Sequence, residues 1–194
     1  MHVKNKNVDI VPAIKAVEEL FKSLNIKLPI ETPERFVKML CYLTKYQNIS
    51  NKEIAKELNK VFEVNSPTNS KNMVIVKDID VFSLCEHHIA LMYDMKISVA
   101  YIPNGFAIGL SKIVRLVDMI CKRLQLQEKI GNDILETMGI LLKNQDIAVH
   151  IKAKHSCVTA RGIKNVFAET VTTHFSGAFL EDEKLKTSFA NSLK

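Results

Sequence analysis

The stretch MVIVKDIDVFSLCEHHIALMYDMKISVAYI, Met73 to Ile102, decides the fold of this 194-residue chain. Met73 to Ser83 is rich in Val and Ile and partly alternates, while Met95 to Ile102 sets Met95, Ile97, Val99 and Tyr101 at every second position. Successive side chains of a strand face opposite ways, so the pattern predicts two strands with an apolar face. Upstream, Ile10, Ile14, Val17, Phe21 and Leu24 recur at helical spacing and predict an amphipathic helix ending before Pro29. Thr32 is placed to cap a second helix, with Pro33 in its first turn and Phe36, Val37, Leu40 and Leu43 as its buried stripe. Ser50 and Glu53 form a capping box for a third, carrying Ile54, Leu58 and Val61, and Asn65 to Asn72 reads as a polar loop. Downstream, Ser111 is expected to cap a helix with Ile113, Leu116, Val117, Ile120 and Leu124 inward. Ile130, Ile134, Met138 and Leu141 mark another helix, and strands return over Ile147 to Arg161 and Thr170 to Phe175. Three helices, a strand pair, a helix pair and a strand pair make an α+β plan, an antiparallel sheet with helices on one face. The expected division is an N-terminal helical extension over residues 1–70 and a sheet domain over residues 71–194.

The composition, 47% hydrophobic and 25% charged, is that of a folded protein with a sizeable core. No apolar run approaches a membrane span, and Met1 to Ile10 lacks the apolar core of a signal peptide, so a cytoplasmic protein is expected. Cys41, Cys85, Cys121 and Cys157 are too irregularly spaced for a disulfide framework and read as reduced thiols. A net charge of +6 implies attraction to something anionic. Basic residues are scattered among acidic ones, with no polybasic arm and no aromatic-interleaved basic surface, which argues against a nucleic-acid binder.

Cys85-Glu86-His87-His88 sets a thiol and two imidazoles close enough for one turn to bring Cys85 and His88 or His87 to one ion. On the expected strand over 147–161, His155, Cys157, Thr159 and Arg161 project together. Cys157 would complete a Cys, His, Cys set that leaves zinc a fourth position for water. A closed structural zinc using both His87 and His88, or no metal at all, remains the plainer alternative. Lys112 and Arg115 share one face of a helix start, where unpaired N–H groups attract phosphate; taken alone, they fit a solvated surface better, since surface Lys and Arg are common. Gln127-Glu128 opens the next helix, where a carboxylate is favoured by the helix dipole in any case.

In order along the chain stand Glu31-Thr32-Pro33-Glu34-Arg35, Val76-Lys77-Asp78-Ile79, Ser83-Leu84-Cys85-Glu86-His87-His88 and Val99-Ala100-Tyr101-Ile102-Pro103. They continue with Ile108-Gly109-Leu110-Ser111-Lys112-Ile113, Gln125-Leu126-Gln127-Glu128, His155-Ser156-Cys157 and Ala160-Arg161-Gly162. Together these segments resemble the GTP cyclohydrolase I family. The resemblance implies the tunnelling fold for residues 71–194 and a homodecamer with active sites between subunits. It implies zinc held by Cys85, His88 and Cys157, with His87 and His155 handling protons. Arg35, Ser111, Lys112, Arg115 and Arg161 would bind the triphosphate of GTP, and Glu128, with Gln127 beside it, would read the guanine. The implied reaction opens the imidazole ring of GTP at C8, releases formate and rearranges the product to 7,8-dihydroneopterin triphosphate, the first step of pterin and folate biosynthesis.

The sequence departs from the family pattern in places. Met95 stands where a Gly is usual, Ile89 to Ala100 is one residue longer, and Lys186 replaces an expected Arg. Two competing readings share the scaffold. A deazaguanine or pterin relative would lack the Cys-Glu-His-His run. A non-catalytic zinc-stabilised nucleotide-binding assembly protein would have lost His87 or His155, and both are present.

Overall fold

The computed structural model of the protein describes residues 9–59, 61–63 and 72–194. The expected polar loop over Asn65–Asn72 lies almost wholly outside them, as does most of the segment read for a signal peptide. The first helix, α1 (Val11–Ser23), follows the apolar spacing. In α2 (Thr32–Leu43) the capping position falls on Glu31, which is already helical (φ −84°, ψ −11°), so Thr32 is not the cap. Thr32 N donates to Pro29 O at 3.0 Å and Arg35 N to Glu31 O at 3.1 Å, so the backbone is already turning before Thr32 and Thr32 lies inside the helix. Phe36, expected in the buried stripe, is 37% exposed, because α2 packs mainly on α1. α3 (Asn51–Glu57) opens with the expected capping box. It ends before Val61, which belongs to β1 (Val61–Glu63), a strand paired antiparallel with residues 106–108.

β2 (Val74–Cys85) and β3 (Ala90–Tyr101) form the expected hairpin, from Cys85↔Ala90 to Val74↔Tyr101. Met95, Ile97, Val99 and Tyr101 are all buried, as their alternation predicts. From Tyr93 to Lys96 β3 advances three residues while its neighbour advances two, Lys154 to Lys152, so a β-bulge takes up an extra residue here. Asp94, at φ 50°, forms its apex and is held by Lys154 at 3.1 Å, which leaves Met95 free to point into the core.

β4 (Phe106–Ile108) leads into α4 (Leu110–Cys121). The backbone is still extended at Gly109, so the helix starts at Leu110 and Ser111 lies exposed inside its first turn instead of capping it. α4 stops at Cys121, and Leu124, expected on its inner face, opens β5 (Leu124–Gln125) in parallel with β2. α5 (Gln127–Leu142) buries Ile130, Ile134, Met138 and Leu141 as predicted. Then come β6 (Ile147–His155), the helical turn α6 (Ser156–Thr159), β7 (Thr170–Phe175), α7 (Ala178–Glu181) and α8 (Glu183–Ser192).

The main sheet has the order β5-β2-β3-β6-β7, antiparallel except between β2 and β5. This is the α+β plan. α3, α4 and α5 cover one face, where Ile54, Ile113, Leu116 and Ile134 meet Ile97, Val99, Val149 and Ile151 in one cluster. Each such side chain contributes about 1.5–3 kcal/mol by leaving water. On the other face α7 and α8 cap one end, packing the rings of Phe175, Phe179 and Phe189 over Ala100 and Ala148. Lys186 lies over the Phe175 ring and pairs with Glu183 at 2.6 Å, so the Arg-to-Lys departure keeps a cation on this docked helix.

Candidate active site

Two strand ends bring the reactive groups together. Cys85 is the last residue of β2, nearly fully buried beside Gln125 of β5, and His155 is the last residue of β6, opposite Met92. The expected strand over 147–161 stops there. Beyond His155 no residue pairs with β3, although β3 runs on to Ala90; the Ser156 hydroxyl donates to Leu91 O at 2.8 Å instead, and the chain turns into α6. His155, Cys157, Thr159 and Arg161 therefore do not share a strand face: Thr159 is buried against the Tyr93 hydroxyl at 3.1 Å, and Arg161 is exposed. The strand-to-helix turn still brings His155 and Cys157 together. A ring nitrogen of His155 and the sulfurs of Cys85 and Cys157 all lie within 4.8 Å of one another.

Two thiols and an imidazole are a soft donor set that fits a zinc-class cation, so the cluster is compatible with a metal site. Burial raises the Cys157 thiol above its ordinary range, and the neighbouring Cys85 adds to the effect. A cation between the sulfurs would reverse that by favouring thiolates.

The orientation of His155 follows from Gln127, whose side chain is buried. The Gln127 amide nitrogen donates to Thr170 O at 3.1 Å and Thr172 Oγ1 at 3.3 Å, with a longer contact to Ile151 O. Carbonyls can only accept, so the amide cannot be flipped and its oxygen must face His155 Nε2, 2.8 Å away. Nε2 therefore carries the hydrogen, and Nδ1 is left with a lone pair when the ring is neutral. Burial lowers the His155 pKa, only partly opposed by the charge of Glu128, which favours that neutral form.

The other expected residues are placed as follows. His87 and His88 are exposed in the turn after Cys85, and His88 Nε2 accepts from Arg161 at 2.8 Å instead of joining the two sulfurs. Glu128 stands exposed in the first turn of α5, with no hydrogen bond or ion pair among the described residues. Ser111, Lys112 and Arg115 lie on the first turns of α4, and Arg35 lies on α2, paired with Glu31. The chain does not bring the three residues of α4 to the sulfurs. The end of α4 sits beside Cys85, since Arg123 O accepts from Ser83 Oγ. Its start sits at the far end of the sheet, where Ile108 N donates to the Tyr101 hydroxyl. At about 1.5 Å per residue, Lys112 is roughly 13 Å along the helix from Cys121.

Thr170 and Thr172, which hold Gln127, escaped the sequence reading because β7 meets α5 only in the folded sheet. So did Arg123 and Asp133, a buried ion pair at 2.7 Å. Arg123 also donates to Asn51 Oδ1, Tyr46 O and Ile49 O, binding the loop before α3 to the segment that enters β5 beside Cys85.

A model of the family described as GTP cyclohydrolase I matches residues 13–194. Among curated relatives, "GTP cyclohydrolase 1" of Ruminiclostridium cellulolyticum is 52% identical over 159 residues, 80% of either chain. The protein of the same name from Clostridium acetobutylicum is 50% identical over 158 residues, 81% of either chain. That of Clostridium botulinum strain Loch Maree is 44% identical over 181 residues, 87% of this chain and 91% of its own. With its two thiols and imidazole drawn together at the strand ends and this match along nearly its whole length, the chain belongs to the GTP cyclohydrolase I family.

Proposed function

We infer that this chain performs the reaction of its family, hydrolytic opening of the guanine of GTP at C8 with release of formate and formation of 7,8-dihydroneopterin triphosphate. The observation that carries the reading is the convergence of Cys85, His155 and Cys157, with His155 oriented by Gln127 one residue from Glu128. Cys85, His88 and Cys157 would hold zinc. This needs the His88 ring to exchange its Arg161 contact for the two sulfurs, a movement within an exposed turn. Bound there, zinc supplies a Lewis acid that brings the pKa of water toward about 7.

The chain's own groups do the rest. Glu128 accepts from guanine N1–H and the 2-amino group, a bidentate pair that adenine cannot match. His155, its Nε2–H engaged by Gln127, takes and returns a proton at Nδ1. His87, exposed beside His88, is the second proton carrier. Arg161 is freed for the triphosphate as His88 turns inward. Ser111, Lys112, Arg115 and Arg35 complete the phosphate grip. The separation of the three α4 residues from the sulfurs within one chain supports the phosphate grip being supplied by neighbouring copies, in a homo-oligomer of decameric type with zinc sites between subunits. Among the described residues no helix is long and apolar enough to cross a membrane. A cytoplasmic location remains part of this proposal.

The test is direct. Purified protein incubated with GTP should release formate and yield a product that becomes a fluorescent pterin on oxidation. Zinc-replete protein that gives neither product would overturn the reading.

A further inference from the structure

α5 and β7 are joined at two matched points. At the first, the Gln127 amide holds Thr170 O and Thr172 Oγ1. At the second, His174 Nδ1 meets Asn132 Oδ1 at 3.0 Å, and the ring lies over Gly131. Thr172 and His174 are two residues apart on one strand face, about 6.7 Å. Gln127 and Gly131 are four apart on the helix, about 6 Å, so the anchors are in step. Glu128 stands between them along α5, and its charge acts on both the His155 and His174 rings.

The fit at the second anchor is size-specific. A Cβ at position 131 would lie 2.6 Å from Cγ of His174 and closer still to other ring atoms, so only glycine leaves room for the imidazole. The ring is held by shape more than by hydrogen bonds, because its Nε2 is buried without a partner.

We propose that His174 is a positioning residue for guanine recognition: seated in the slot left by Gly131 and bonded to Asn132, it fixes where the Glu128 carboxylate stands. This rests on the reading of Glu128 as the group that accepts from guanine N1–H and its 2-amino group. Inosine triphosphate lacks the 2-amino group and retains N1–H, so the preference for GTP over it measures how well Glu128 is aimed.

The experiment compares kcat/KM for GTP and for inosine triphosphate in the zinc-loaded wild-type enzyme and in His174→Ser, Gly131→Ala, the double variant and Glu128→Ala, with zinc content and Tm recorded for each. His174→Ser is expected to reduce the preference for GTP by on the order of tenfold, within the hundredfold that a misplacement of about 1 Å can cost, with zinc content unchanged. Gly131→Ala should do the same by displacing the ring. The double variant should recover part of the Tm that Gly131→Ala loses, since serine clears the clash, but not the preference. Should His174→Ser fold poorly, Gly131→Ala carries the test from the other partner. A lowered Tm with the GTP preference intact in both single variants would reduce the pair to ordinary packing and overturn the proposal. A Glu128→Ala enzyme that keeps its preference would instead overturn the reading of Glu128.

Discussion

The α1–α2 hairpin and the layer formed by α4 and α5 are both built from helices with an apolar face, yet they meet opposite fates. α5 buries ten residues and α4 six, whereas α1 buries none and α2 only Pro33 and Val37. The hairpin leaves Leu20, Leu24, Met39 and Tyr42 more than half exposed. Apolar periodicity specifies that a helix has a face to cover and says nothing about what covers it. For α5 the cover is the chain's own sheet. For the hairpin, which carries Arg35, a neighbouring copy of the chain is the cover consistent with the proposed interfacial site. On the proposed function, the sheet with α5 assembles Cys85, Cys157, His155 and Glu128 within one chain, while Arg35 and the start of α4 would complete the site of a neighbouring copy.

The largest expected effect lies in the self-sufficient region. Cys157→Ala or Cys85→Ala should drop zinc from about one per chain to a small fraction and cost turnover more than about a hundredfold, read by elemental analysis and pterin formation. Among the histidines, His88→Ala should lose zinc while His155→Ala keeps it and loses turnover. The reverse outcome would make His155, already grouped with the two sulfurs, the third ligand.

The next test addresses the other region. Inactive Arg35→Ala and inactive His155→Ala chains, unfolded together and reassembled, should regain activity, because some interfaces would pair an intact Arg35 with an intact His155. Arg35→Ala alone should raise KM for GTP and leave zinc content unchanged. No recovery despite demonstrated subunit exchange would return Arg35 to its own chain and remove the contrast.

Stability should divide in the same way. Ile134→Ala, in the covered layer, should cost about 2–5 kcal/mol in denaturant unfolding. Leu20→Ala should stay within about 0.5 kcal/mol in dissociated chains. A Leu20→Ala loss that grows with protein concentration would show that assembly covers this face.

The smallest effect is a pH slope. His150, His155 and His174 all sit below their ordinary pKa of about 6.5, chiefly through burial. The unfolded chain then binds more protons than the folded one as pH falls. Their contribution is fully present above pH 6.5 and is lost as pH drops through the folded values. The Tm of the metal-free protein should therefore fall between pH 7 and pH 5, and His174→Ser should flatten that decline. A Tm independent of pH over this range would place these rings in water.

Local chemistry was legible without coordinates wherever it depends on neighbours in sequence. The Ser50–Glu53 box, the alternation of Met95, Ile97, Val99 and Tyr101, the inner face of α5 and the bounds of β7 are all short-range patterns, and the order of the segments was enough to mark the family. Reading failed where a distant partner decides. Thr32 and Ser111 look like caps, but Pro29 O and the extended Gly109 set those helix starts. Residues 155–161 look like a continuing strand, yet the chain leaves the ladder after His155, where the Ser156 side chain takes the Leu91 carbonyl and α6 begins. The sequence by itself determined which residue types are available, two thiols, three imidazoles and a carboxylate at known spacings. Only the tertiary structure decided that Gln127 would be buried against β7 and fix the His155 tautomer, that Gly131 would make room for His174, and that Lys112 would lie a helix length from the sulfurs. Those outcomes depend on contacts between residues far apart in the chain, where packing and hydrogen-bond partners outweigh local preference.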